Sequence, residues 1–246
     1  RSGTDIAFVG GMINYAIEHN RIQEEYVREY TNASWIVGDG YGFTDGLFAG
    51  YDPKTRRYDK SQWTYALDAQ GRPRRDPTLK HARCVFQLLK QHFSRYDADA
   101  VCRITGTPRE NYLRVCDLYT GTYAPDRAGT WLYAMGTAQH SHGTQNIRSY
   151  AILQLLLGNI GRPGGGILAL RGHASIQGST DIPTLYDILP GYLPMPHLRP
   201  EDATLAGYLR KNGAERGWWH NLDRYVVSLL RAWYEDAMRA EEEWGW

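Results

Sequence analysis

Apolar residues recur every three or four positions near the start of the chain, which is the spacing of an amphipathic helix with one apolar face. The positions that form this face are Ile6, Val9, Ile13, Ala16 and Ile17. Thr4 or Asp5 is the expected N-cap of the helix, and Asn20 is its expected end. A second, shorter helix is predicted near residues 23–30.

Two further helices are predicted in the middle of the chain. Regular apolar spacing over residues 79–93 indicates the first of them. The run Thr107-Pro108-Arg109-Glu110 predicts the start of the second, with Thr107 at the N-cap, proline at the first position and glutamate closing a capping box. The side chains expected to face the core from this helix are Tyr112, Val115, Cys116 and Tyr119.

A strand, a helix and a second strand follow one another over residues 130–170. The apolar run that begins at Thr130 and stops before Gly136 predicts a buried strand. The helix after it is apolar on nearly all sides in its second half and is expected to end at Gly158. Residues 167–170 predict the second strand. This order predicts parallel pairing, and therefore an α/β fold with a parallel sheet in α/β/α layers.

The remaining segments are irregular in pattern. Residues 31–78, where Gly, Asp and Tyr alternate with charged residues, predict a loop-rich insertion. A proline-rich loop region follows Gly172, and helices are then predicted near residues 203–211 and 222–243. We expect a domain border near residue 172, which divides the chain into residues 1–172 and 173–246.

Composition narrows the classes of protein. The 246 residues carry a net charge of +1, from 28 basic and 27 acidic side chains, which argues against a nucleic-acid binder. No apolar run is long enough to cross a bilayer. Because the sequence opens on Arg1 and has no signal peptide or tail, we expect it to be an excerpt from a longer polypeptide.

Three cysteines, Cys84, Cys102 and Cys116, are widely spaced and odd in number. They predict neither a disulfide framework nor an iron–sulfur site within this chain. Each is expected to be a small buried apolar residue.

Polar loops follow both predicted strands, at residues 137–145 and 171–178, and both are dense in Gln, His, Ser, Thr and Gly. Ligands of α/β proteins bind beyond the carboxyl ends of the strands. We therefore predict a ligand site there, with ordinary polar loops as the alternative.

Other kinds of site are less well supported. His140 and His142 lack a third and a fourth metal ligand at a familiar spacing, so we predict no metal site. Neither a nucleophile elbow nor a P-loop motif occurs. The Gly3-Thr4-Asp5 helix start fits a phosphate or guanine pocket, or a helix cap alone.

The same residues carry a family resemblance. Arg-x-Gly-Thr-Asp opens the first helix, and Gly-x-x-Gln-His precedes a helix that ends Leu-Leu-Leu-Gly-Asn-Ile-Gly-Arg-Pro-Gly-Gly-Gly. Leu-Arg-Gly-His-Ala-Ser-Ile-Gln-Gly then follows the second strand. These motifs resemble the molybdopterin oxidoreductase family, and most closely the large subunit of respiratory formate dehydrogenases. The long insertion supports that subgroup, and the resemblance covers essentially the whole chain.

The resemblance implies roles for particular residues. Arg171 matches an active-site arginine that orients formate, and His173 matches a residue that contacts the pterin or supports that arginine. Two further groups of residues match pterin-cofactor contacts: Gly136, Gln139 and His140 in one loop, and Gly3, Thr4 and Asp5 at a guanine end.

The implied reaction is oxidation of formate to carbon dioxide at molybdenum or tungsten held by bis-molybdopterin guanine dinucleotide. A [4Fe–4S] cluster and the metal ligand are expected in the full subunit but outside this chain, so this chain alone is not expected to turn over. Residues 1–172 and 173–246 are then parts of two adjacent cofactor-binding domains. The implied partners are the rest of the subunit, an iron–sulfur beta subunit and a cytochrome b gamma subunit, in the periplasm and at the membrane only through those partners.

Two alternatives stay open at this point. A sister molybdoenzyme that reduces nitrate, a sulfoxide or an oxyanion would share most of these motifs, because substrate choice depends largely on the missing metal ligand. A split chain that only binds cofactor, without activity of its own, is the other.

Overall fold

Helices and short strands alternate along the chain in this computed structural model, which describes residues 1–44, 46–170, 172, 175–184, 187–214 and 217–234. The fold is α/β, as predicted. The chain divides into two compact units, Arg1–Leu170 and Arg171–Trp246. That these units belong to two cofactor-binding domains stays a prediction.

The first unit contains most of the regular structure. Its described helices are α1 (Asp5–Glu18), α2 (Glu24–Tyr30), α3 (Val85–Phe93), α4 (Ala98–Thr105), α5 (Arg109–Thr120), α6 (Met135–Ala138) and α7 (Gly143–Leu156). Its described strands are β1 (Phe43–Thr44), β2 (Leu47–Phe48), β3 (Tyr51–Asp52), β4 (Arg57–Tyr58), β5 (Thr130–Tyr133) and β6 (Gly166–Ala169).

β5, α7 and β6 form the predicted strand–helix–strand unit. The two strands pair in parallel, with a register that runs from Thr130 opposite Gly166 to Tyr133 opposite Ala169. The expectation that the first strand is buried is wrong within the described chain, since Leu132 is 55% exposed. Side chains alternate between the two faces of a strand. Trp131 stacks on Tyr150 of α7 at 4.6 Å, and Leu132, the next residue along the strand, lies on the opposite face.

α1 is the central helix of the first unit. It packs against α7, α4, α3 and α5, and it is buried on most sides rather than on one face as predicted. Thr4 is at the N-cap position, but its hydroxyl donates to the Arg1 carbonyl at 2.7 Å and does not cap the helix. α2 lies where it was predicted.

α3 begins at Val85, six residues later than the predicted start at Leu79. Leu79 adopts a left-handed conformation with φ of 58°, which no α-helix accommodates. The Asp76 carboxylate accepts backbone hydrogen bonds from Thr78, Lys80 and His81, and these bonds hold the segment in turns. Because the Asp76 side chain binds these backbone amides, α3 begins later in the sequence than predicted.

α4 was not predicted, although both of its ends carry ordinary signals. Asp97 at the N-cap accepts a hydrogen bond from the Ala100 amide at 2.7 Å, and Gly106 ends the helix with φ of 76°. α5 has Pro108 at its N-cap, one residue after the predicted Thr107. Of its predicted core-facing side chains, Tyr112 and Cys116 are buried but Val115 is 41% exposed.

The predicted insertion is irregular, but it contains two small hairpins that were not predicted. β1 pairs with β2 and β3 pairs with β4, both antiparallel. Aromatic side chains hold the hairpins together, with Phe48 and Trp63 at 5.0 Å and Tyr58 and Trp63 at 5.5 Å between ring centroids.

The second unit has its own small core. Its described elements are α8 (Ile176–Asp181), β7 (Ile188–Leu189), β8 (Leu193–Pro194), α9 (Leu205–Asn212) and α10 (Leu222–Tyr234). α9 and α10 confirm the predicted helices, and the predicted extension of α10 to residue 243 lies outside the described residues. Lys211 donates to both carboxylate oxygens of Asp202 at 2.9 Å beside this core. None of the helices in the described ranges is both long and apolar enough to cross a membrane.

Candidate functional site

The candidate site lies where β5 ends and the chain turns towards α7. α6 follows β5 almost at once, and Gly143 then starts α7 in close contact with it. A Cβ atom at Gly143 would lie 2.1 Å from the Ala138 carbonyl oxygen, so only glycine permits this approach. The short helix α6 takes up only the first two residues of the predicted polar loop, Thr137 and Ala138, and residues 139–142 are irregular as predicted.

Three predicted cofactor contacts lie in this one turn. His140 Nε2 donates to the Gly136 carbonyl at 2.9 Å, which fixes the imidazole against the backbone of α6. Gln139 is exposed, and its amide lies 3.8 Å from the Met135 sulfur. Beyond its neighbours in α6, no atom of the described residues lies within 4 Å of the position of a Cβ at Gly136. The structure therefore brings Gly136, Gln139 and His140 together beside open space.

The second predicted group, Gly3, Thr4 and Asp5, lies at the start of α1. Gly3 adopts φ of 76°, and apart from its chain neighbours nothing in the described part of the chain lies within 4 Å of its Cβ position. The backbone nitrogen of Arg1 lies 2.9 Å from the Thr105 carbonyl oxygen, which places this segment beside the end of α4. Asp5 is the first residue of α1 and is half-buried.

Tyr150 links the two predicted groups. Burial raises the pKa of its hydroxyl, the Thr137 side chain acts to lower it, and the Asp5 carboxylate acts to raise it. Tyr150 therefore lies within interaction range of both Asp5 at the start of α1 and Thr137 in α6. Sequence reasoning missed Tyr150, because it falls in a run of residues that reads as core.

Asn146 is a second residue of this region that was not predicted. It is completely buried in the first part of α7, and its side-chain amide donates to the Thr137 carbonyl at 3.3 Å. Its carbonyl oxygen Oδ1 is buried without a hydrogen-bond partner in the described residues. A buried acceptor without a donor costs free energy, so this atom is available to a donor group that approaches α6.

The predicted Arg171 and His173 lie outside the described residues. The residue before them, Leu170, donates its amide to the Tyr133 carbonyl at 2.8 Å. This bond continues the parallel pairing past the end of β6. Leu170 therefore lies beside the end of β5.

The described cysteines and histidines form no metal site, and two of the three cysteines are buried. The His140 and His142 rings lie 5.4 Å apart, and no group of three or more His, Cys, Asp or Glu residues is placed there to hold a metal ion. Cys84 and Cys116 are buried as expected, whereas Cys102 is half-buried. Burial raises the pKa of the Cys116 thiol to about 11.

No protein-family model matches the chain. It is 50% identical, over its whole length, to the "Formate dehydrogenase, nitrate-inducible, major subunit" of Escherichia coli, of which it covers 25%. It is 51% identical over 99% of its length to the "Formate dehydrogenase 2 subunit alpha (cytochrome c-553)" of Nitratidesulfovibrio vulgaris, of which it covers 24%. A formate dehydrogenase subunit alpha of Megalodesulfovibrio gigas is 50% identical over 96% of the chain.

The chain thus spans about a quarter of the length of the curated relatives that it matches. The identity is nevertheless spread over the complete chain and is similar in relatives from different organisms. By sequence, the chain belongs to the family of formate dehydrogenase major, or alpha, subunits.

Proposed function

We propose that this chain is part of a catalytic subunit that oxidises formate to carbon dioxide. The observation that carries the proposal is the identity of about 50% to formate dehydrogenase major and alpha subunits along the whole chain. The proposed cofactor is bis-molybdopterin guanine dinucleotide with molybdenum or tungsten. When bound, it supplies the redox step, in which formate yields carbon dioxide, two electrons and a proton.

Three features of the described residues fit a large polar cofactor at the end of β5. Gly3 and Gly136 expose backbone beside open space, so a ligand can approach closely. The Asn146 carbonyl oxygen is a buried acceptor without a donor. Tyr150 brings the Asp5 carboxylate into the same region as α6.

We assign two groups of residues to holding the cofactor. Asp5 is placed at a guanine end, because a carboxylate accepts hydrogen bonds from the N–H groups of guanine, and Gly3 and Thr4 present the adjacent backbone. Gly136, Gln139 and His140 form the second group of cofactor-binding residues. His140 is oriented for this role by its bond to the Gly136 carbonyl. No described cysteine or histidine cluster serves as a metal ligand, and we place the metal ligand elsewhere in the subunit.

Arg171 is the residue proposed to bind formate. A guanidinium group stays charged and holds a carboxylate through two parallel hydrogen bonds, which fixes the direction of the substrate C–H bond. His173 is proposed to contact the pterin or to support Arg171. Both assignments come from the resemblance of the motif in residues 170–178.

The proposal includes a route for the electrons. A [4Fe–4S] cluster in the rest of the subunit would receive them and pass them to an iron–sulfur beta subunit and a cytochrome b gamma subunit. We propose a periplasmic location with membrane attachment through those partners only.

The test is formate-dependent reduction of a viologen dye by the complete native complex that contains this chain. Metal content is measured on the same preparation, and nitrate and a sulfoxide are assayed as oxidants of reduced viologen. Rapid dye reduction by formate is expected. A metal-replete preparation that is inactive with formate but active with nitrate or the sulfoxide would replace this proposal with a sister molybdoenzyme. A native subunit no longer than this chain would favour a split cofactor-binding protein.

A further inference from the structure

A polar pocket of about 420 Å³ lies on the first unit, between α1, α4 and α5. It is separate from the candidate site, and the argument that follows does not depend on the proposed function. Asn14 and Glu18 of α1 line one side of it, and Asp97, Asp99 and Arg109 line the other.

Asn14 is the feature that points to a ligand. It is only 4% exposed, and its side-chain amide makes no hydrogen bond in the described part of the chain. Its polar atoms have no protein partner among the described residues, so a polar ligand that enters the pocket can bind them. Tyr112, which also lines the pocket, already donates its hydroxyl hydrogen to the Phe8 carbonyl at 3.0 Å. The Asn14 carbonyl oxygen, on a residue that lines the pocket, therefore has an unused acceptor position.

The charges around the pocket favour a cation. Arg109 Nε donates to Asp99 Oδ1 at 2.8 Å, so these two charges compensate one another. Asp97 uses one carboxylate oxygen to cap α4 and has no basic partner among the described residues. Glu18 also lacks an ion pair within the described residues. Glu18 and Asp97, both solvent-exposed, thus line the pocket without an ion-pair partner among the described residues.

The walls of the pocket favour an organic cation with a flat face. Tyr96 and Tyr112 line it, and Gly10 and Gly11 let these two rings approach α1 closely. Tyr15 also lines it, but its ring already stacks on His19 at 3.9 Å and lies under the Arg21 guanidinium at 5.5 Å. A Cβ at Gly10 would lie 3.0 Å from the Tyr96 ring, and one at Gly11 would lie 2.2 Å from the Tyr112 hydroxyl. Guanidinium groups stack on aromatic faces and carry several N–H donors in one plane. The carboxylates of the pocket do not come together with a third ligand in the described chain as a metal site would require.

We propose that this pocket binds an alkylguanidinium group, which donates to the Asn14 carbonyl oxygen and to the Glu18 carboxylate and stacks on a tyrosine ring. The group has two sources: an arginine side chain elsewhere in the complete enzyme, or a free guanidinium compound. The relatives are about four times as long as this chain, so much polypeptide remains that can present an arginine here.

The test is the melting temperature of the complete enzyme carrying Asn14→Leu or Glu18→Gln. Leucine has a similar size to asparagine, so an amide with no partner would make Asn14→Leu neutral or stabilising. If a guanidinium occupies the pocket, both substitutions leave it short of an acceptor, and each lowers the melting temperature by about 2 °C or more. Glu25→Gln, at an exposed carboxylate on α2, is the control and should leave it unchanged.

Arginine amide, added to the same proteins, distinguishes the two sources. A resident arginine side chain predicts that both substitutions are destabilising and that the wild type gains nothing from arginine amide. A free ligand predicts that arginine amide raises the melting temperature of the wild type but not of Asn14→Leu. The proposal is overturned if arginine amide has no effect and either substitution leaves the melting temperature unchanged or raised.

Discussion

The side-chain amide of Asn159 donates a 3.0 Å hydrogen bond to the side-chain carbonyl of Gln154, and both residues are completely buried. The Gln154 amide in turn donates to the Gly129 carbonyl at 2.8 Å and to the Gly166 carbonyl at 2.6 Å. Gly129 precedes β5 and Gly166 begins β6. One side chain of α7 therefore holds the starts of both parallel strands, whose far ends carry the candidate site.

We expect Gln154→Leu to loosen the β5–β6 pair. The substitution leaves two backbone carbonyls and the Tyr119 hydroxyl without their Gln154 partner, at a cost of about 3 kcal/mol. The Asn159 amide loses one of its two hydrogen bonds and keeps the one to Thr122. Amide hydrogen exchange in peptides that cover β5 and β6 of the full subunit should become roughly a hundredfold faster. Gln145→Leu, at an exposed position on the same helix, should leave exchange unchanged. Equal exchange in the two variants would show that Gln154 does not hold the strands.

Asp5→Ala is expected to weaken retention of the cofactor. Loss of a charged acceptor for guanine costs about 1.5 to 3 kcal/mol, which corresponds to roughly tenfold or more in affinity. The readout is guanine nucleotide released per subunit after acid hydrolysis. Asp126→Ala, at an exposed aspartate in a loop, is the matched control. A normal guanine content in the Asp5 variant would remove this residue from the cofactor site.

Gly136→Ala should separate cofactor binding from folding. Apart from the adjoining residues of α6, no described atom lies within 4 Å of the added methyl group, so the melting temperature of the cofactor-free subunit should not change. A ligand that approaches the Gly136 backbone would meet that methyl group, so metal and pterin content should fall. Gly42→Ala, where the nearest atom is an ordinary 3.7 Å away, should affect neither quantity. Full cofactor loading in Gly136→Ala would mean that nothing binds against this glycine.

The cysteines should differ in their reaction with iodoacetamide. Burial raises the pKa of the Cys84 thiol and raises that of Cys116 to about 11, and only the thiolate reacts. At about pH 8 the native subunit should therefore be alkylated at the half-buried Cys102 first, and Cys116 should react faster as the pH rises towards its pKa. Mass spectrometry of timed samples measures the three rates. Alkylation of Cys116 before Cys102 would contradict the burial seen here.

Much of the fold follows from local patterns in the sequence. The parallel pair was predictable, because two short apolar strands flank a helix that ends at a glycine. α1, α2, α9 and the start of α10 also carry clear periodicity. Positions where a side chain competes for backbone amides were not predictable from periodicity. Asp76 is the clearest case, since its carboxylate draws three amides into turns and delays α3.

Some residues of the candidate site were predictable from the sequence and others were not. Gly136, Gln139 and His140 follow a strand and stand out by position and residue type. Tyr150 and Asn146 do not, since no motif marks either residue within α7, and only the packing of α1 against α7 reveals what they face. The pocket at Asn14 is likewise formed by residues far apart in the chain, so no single stretch of sequence indicates it.

The most direct measurement is formate-dependent viologen reduction by the complete enzyme, wild type beside Arg171→Ala, with molybdenum and tungsten content determined on both. We expect the wild type to reduce the dye with formate. We expect the variant to lose roughly a hundredfold or more of that activity, because the carboxylate of formate loses its charged anchor, while its metal content stays near that of the wild type. Unchanged activity in Arg171→Ala would contradict its proposed role, and joint loss of metal and activity would make Arg171 a structural residue. A metal-replete wild type that is inert to formate would contradict the proposed function itself.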